Sequence, residues 1–254
     1  TDGMELAATI KLVNYQGRSI MRKQSGFTLI EIAIVLVIIG LLLGGVLKGQ
    51  ELIQSARVRN LASMQDGVKA AFFGFQDRFR ALPGDYTTAT TNITGVAAVA
   101  ACGAPTGNGN GNGQIEATEA ILAWEHLSKA GFINGTYTCA AADAATTTPV
   151  NAYNIYLQLI YDGVYGVTGA AAAVRHNLKT GPGIPVSVIA ELDRKVDDGL
   201  PGTGTFQFST FASNGTAPTG AGAAAPSCVT TAVATTSLWG ANFGTTNCGG
   251  TTLF

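Results

Sequence analysis

The residues best placed to do chemistry stand at the head of one apolar run. Residues 21–47 read MRKQSGFTLIEIAIVLVIIGLLLGGVL: two cations and a glycine precede a long apolar stretch in which Glu31 is the one charge. A carboxylate at bilayer depth costs about 2.5–3.5 kcal/mol on insertion scales and needs a partner. A cut between Gly26 and Phe27 would supply it, because the released α-amino group is a cation one helical turn from Glu31. An ordinary secretory signal places a small-residue cleavage site behind its apolar region. Here no A-x-A site directly follows the run and the candidate site lies in front of it, so the apolar helix would stay with the mature protein.

Few other residues are spaced for chemistry. Cys102, Cys139, Cys228 and Cys248 allow three disulfide pairings, of which the local staples Cys102 with Cys139 and Cys228 with Cys248 are favoured. A thiolate metal site is disfavoured, since no two cysteines stand close together and none has a histidine at ligand spacing. Asp193, Asp197 and Asp198 could give oxygen ligands to Ca²⁺, although they lack the alternating spacing of an EF-hand loop, and a solvated helix end and turn is the simpler reading. His126 and His176 are isolated, and GNGNGNG at 107–113 lacks the Lys-Ser/Thr that would make a phosphate loop. No nucleophile and base recur together, so no enzymatic activity and no cofactor beyond that possible calcium are expected. The formal net charge is −1, or −3 once residues 1–26 are removed, which gives no electrostatic footprint for nucleic acid.

The elements that carry these residues follow from periodicity. Residues 27–46 are apolar on all sides, as a helix in lipid or in a packed filament core requires, with small residues Gly40, Gly44 and Gly45 allowing close helix approach. Beyond Lys48 the helix turns amphipathic: Leu61, Met64, Val68, Phe72, Phe75, Phe79 and Leu82 form one stripe, while Asp66, Lys69, Phe73, Gln76 and Arg80 fall off it. Pro83 and Gly84 end it. Residues 85–113 read as turn-rich low-complexity chain without core structure. A second helix is expected over 114–131, anchored by Ile121, Leu122, Trp124 and Leu127 and stopped at Gly131. Strands at 153–161 and 164–168 are expected to form a hairpin about Asp162-Gly163, and Ser187 to cap a short helix, VIAELDRKV. A strand at 206–211 and a loop-rich tail complete the chain.

The segment GFTLIEIAIVLVIIG resembles the processing site and first helix half of type IV pilins and type II secretion pseudopilins. The resemblance implies a prepilin peptidase that cuts after Gly26 and methylates the Phe27 amine, and an assembly role for Phe27 and Glu31. It implies an α+β pilin fold, with a long helix over about 27–82 packed on a small antiparallel sheet. Residues 21–26 would be the leader, with translation starting at Met21 and residues 1–20 an upstream artefact. Residues 27–47 would be the transmembrane and filament-core half of the helix and 48–82 its amphipathic half. Residues 83–254 would form the head, with the variable αβ-loop, the sheet and a C-terminal region bounded by Cys228 and Cys248. The implied protein is a structural subunit, held in the inner membrane as a single-pass precursor and assembled by pilus machinery into an extracellular helical filament of identical copies. A type II secretion pseudopilin, a minor pilin, or a prepilin-anchored membrane adhesin or enzyme are the alternatives. Family members often break the helix with a proline just beyond the apolar half, where this sequence has Lys48 and Gly49.

Overall fold

The computed structural model describes residues 26–96, 107–167, 173–214, 217–220 and 227–254. The basic leader and Cys102 lie outside the described residues. Contacts divide the chain into two units, one ending at Lys48 and one beginning at Gly49. Helix α1, Leu29–Phe79, contributes to both. In the first unit every described residue is exposed, and the apolar window of α1 has a mean hydropathy of 2.8 with none of it buried.

In the second unit the rest of α1 lies on an α+β head. Its elements are α2 (Ala89–Asn92), α3 (Ala120–Lys129), β1 (Gln158–Asp162), β2 (Arg175–Lys179), α4 (Val186–Val196), β3 (Phe206–Phe208) and β4 (Gly250–Leu253). The four strands form one antiparallel sheet in the order β1-β2-β4-β3. The stripe on α1 serves two cores. Val58 and Leu61 join α4, Phe206, Phe208 and the buried Cys228 and Cys248, whereas Val68, Ala71, Phe72 and Phe75 join Trp124, Leu127, Leu159 and Leu178. Phe73 is 51% exposed, in keeping with its place off the stripe. Between the two cores Gln65 is buried with neither amide atom hydrogen-bonded, a polar insertion that the apolar spacing gives no sign of.

Three expectations about the head need correction. The hairpin does not turn at Asp162-Gly163: β1 pairs with Arg175–Lys179, and residues 164–167 are not a strand. Asp162 is instead committed to side-chain bonding. Its carboxylate accepts from the Val164 N–H (3.2 Å), from Asn177 Nδ2 (3.0 Å) and from the buried Lys179 ammonium. Nor is Ser187 the cap of α4. The helix begins two residues earlier, at Val186, with Pro185 at its N-cap position, and the Ser187 hydroxyl accepts from Gln54 Nε2 at 3.2 Å.

The third correction is to the glycine and asparagine stretch, whose described part from Gly107 is ordered against the core. His126, fully buried on α3, accepts the Gly84 N–H at Nδ1 (3.0 Å), so the ring proton sits on Nε2 and is donated to the Gly107 carbonyl (3.0 Å). Burial holds this imidazole down to a pKa of about 4. It is a neutral strap joining three segments, stacked against Phe75 with ring centroids 6.2 Å apart.

The C-terminal staple is present: Cys228 and Cys248 are bonded with S–S 2.08 Å. Cys139 is also disulfide-bonded.

Candidate functional site at the N-terminal motif

Gly26 and Phe27 precede α1, outside any helix or strand. Both are exposed, Phe27 at 83%, and no neighbouring atom lies within 4 Å of where a side chain on Gly26 would sit. The helix starts two residues later for a local reason. The Thr28 N–H and hydroxyl donate to Glu31 Oε2 at 2.7 and 2.8 Å, and the Glu31 N–H donates to Thr28 Oγ1 at 3.3 Å. This is a capping box, in which the first and fourth residues satisfy each other's exposed donors.

The geometry adds to the role that sequence reasoning gave Glu31. Its carboxylate is engaged by Thr28 in the uncut chain, before any α-amino group exists at Phe27. An amine would therefore meet a carboxylate already held in place at the helix entrance, where the positive end of the helix dipole also favours an acid. The signal was legible as Thr-x-x-Glu just before an apolar run; the bilayer argument alone passed over it.

The proposed calcium ligands are placed on separate partners. Asp193 is buried on α4 and accepts Trp239 Nε1 at 2.6 Å. Burial raises its carboxyl to about 6. Asp197 accepts the backbone N–H groups of Thr205 and Phe206, and Asp198 accepts from the Leu200 N–H (2.8 Å) and the Thr203 hydroxyl (2.6 Å).

Residues 21–47 match the family model described as the prokaryotic N-terminal methylation motif, and the match takes in Gly26, Phe27, Thr28 and Glu31. The N-terminal segment carries this motif over 27 of the 254 residues. The motif is typical of type IV pilins and pseudopilins, and it implies processing by a prepilin peptidase. The apolar first half of α1 is long and apolar enough to cross a membrane, which together with the motif points to a membrane-anchored precursor. The match ends at residue 47, so the head rests on its own geometry. No curated protein and no solved structure matches the chain.

Proposed function

We propose that the mature protein is a structural subunit of a type IV pilus filament, assembled through residues 27–47 after cleavage behind Gly26 and methylation of Phe27. The observation that carries this reading is the first half of α1. Ile30, Ile34, Leu41, Leu43 and Val46 are each more than half exposed, on different sides of a helix headed by the processing motif. Lipid satisfies such a surface in the precursor, and identical helices satisfy it in a fibre, where buried apolar area is the main cohesive term. On this reading the Phe27 amine of an incoming subunit pairs with Glu31 of its neighbour and sets the axial register. The head would serve as filament surface, with no catalytic role.

Glu31→Ala tests the proposal. The variant is expected to insert in the membrane and to be cleaved, yet to yield no filaments from cells that lack the wild-type copy. Filaments of normal abundance from Glu31→Ala would contradict the pairing, and an anchored monomer that acts without any filament would contradict the structural role.

A further inference from the structure

The loop before α3 carries a spacing that the processing motif does not account for. From Asn108 the chain reads NGNGNGQIEATE, with Asn at the first, third and fifth places, Gly113 at the sixth, Glu116 at the ninth and Glu119 at the twelfth. The calcium loop of the EF-hand runs D-x-[DN]-x-[DN]-G-x5-E. Its oxygen donors stand at places one, three, five, seven, nine and twelve, and the glycine at six allows the sharp turn. Gly113 makes that turn with φ 80°. Only the first place departs from the pattern, with Asn108 where the loop requires a carboxylate.

The fold brings a carboxylate to that position from elsewhere in the chain. Asn108 turns away, its Oδ1 accepting the Thr90 N–H at 2.9 Å. Asp85, in the turn that follows α1, reaches the loop instead, accepting the N–H groups of Gly111 (2.5 Å), Asn112 (3.0 Å) and Gly113 (2.7 Å). Two further carboxylates close on the same residues. Glu116 accepts from the side-chain amides of Asn112 (3.0 Å) and Asn110 (3.3 Å), and Glu119 accepts the Asn110 N–H at 2.9 Å. Asp85 and Glu119 are 4% and 3% exposed, and no ion pair among the described residues reaches any of the three acids. Asp85, Glu116 and Glu119 thus each accept from amide groups of one loop, whose spacing is that of an oxygen cage.

We propose that Asp85 and the loop 110–119 bind one calcium ion. The donors are the side-chain oxygens of Asp85, Asn110, Asn112, Glu116 and Glu119 with the Gln114 carbonyl, a number and type that suit a large hard cation better than Mg²⁺, which demands a tighter octahedron and keeps its waters. Two of the side-chain donors are neutral amides, which places the affinity in the weak range of extracellular modules, roughly 10⁻⁴–10⁻³ M. The ion ties the turn after α1 to the start of α3 and sets the loop between them.

The test uses the full chain in detergent micelles, titrated with calcium chloride and followed by equilibrium dialysis and thermal unfolding. One ion per chain, a rise in Tm that saturates and is reversed by chelator, and no such rise with magnesium are expected. Asn110→Asp, which adds a carboxylate donor at the third place, is expected to tighten binding at least about threefold, and Glu119→Gln to weaken it at least about tenfold. Asp198→Asn, in the other acidic turn, leaves binding unchanged. The proposal is overturned by a folded chain that binds no calcium at about 10 mM, well above the expected range. It is equally overturned if Asn110→Asp binds no tighter than the wild type, or if binding is lost in Asp198→Asn. Should Glu119→Gln fail to fold, the Asn110→Asp comparison still decides.

Discussion

Thr28 and Glu31 cap one helix end reciprocally, the Thr28 N–H and hydroxyl on the Glu31 carboxylate at 2.7 and 2.8 Å and the Glu31 N–H on the Thr28 hydroxyl at 3.3 Å. The acid to which the proposed assembly gives a role thus has structural work in the uncut chain. Removing the hydroxyl while keeping the shape separates the two roles. In Thr28→Val, amide exchange at Glu31 and Ile32 is expected to quicken several-fold in micelles, whereas Thr28→Ser stays near the wild-type rate. Equal exchange in all three proteins would show that the box does not hold the helix start.

The buried His126 predicts a pH dependence. Its folded pKa of about 4 lies below the ordinary 6.5, so between those values the unfolded chain binds the extra proton. Stability is full above about 6.5 and falls as pH drops toward 4, by on the order of 3 kcal/mol. Asp193 acts in the opposite sense: its carboxyl is raised from 3.8 to about 6, so the folded state binds the extra proton and acidification through that window stabilises. His126→Gln, whose amide can accept from Gly84 and donate to Gly107, should remove the acid loss and leave the Asp193 gain. Urea unfolding midpoints from pH 7 to 4 measure both, and an unchanged slope in His126→Gln would contradict the strap.

Reduction of Cys228–Cys248 should destabilise the head strongly. The bond closes a sequence separation of 20, both cysteines are fully buried, and Cys248 exchanges backbone hydrogen bonds with Ile184 at 2.9 and 3.1 Å just before α4. Loop-closure arguments put the loss at about 3 kcal/mol. For a head of this size that is a fall in Tm of roughly 10 °C in Cys228→Ala/Cys248→Ala. A fall under about 2 °C would show that packing alone holds this end.

What the sequence made legible and what it hid divide along physical lines. The spacing of Leu61, Val68, Phe72 and Phe75 located the buried stripe of α1, because a long helix on a core repeats its apolar contacts every three or four residues. The motif at Gly26 to Glu31 was equally readable, since its chemistry lies within six consecutive positions. Strand β2 was not. Its sequence RHNLK sends Asn177 and Lys179 into a buried polar cluster with Asp162 and Thr251, so no apolar alternation marks it. The same cluster consumes the Asp162 side chain, which is why an Asp-Gly pair that reads as a hairpin turn is instead a strand end. Low complexity concealed GNGNGNG: its order comes from Asp85 and His126, residues distant in the chain whose backbone partners no local pattern reports.

The central claim is that Gly26–Phe27 is cut and that the chain begins its filament life at Phe27. Its most direct test is intact mass and N-terminal sequencing of the subunit recovered from filaments sheared off the cell surface. The account predicts a chain starting at N-methylated Phe27, with residues up to Gly26 absent. A filament subunit that retains the leader, or a cut behind the apolar run with residues 27–47 lost, would contradict it.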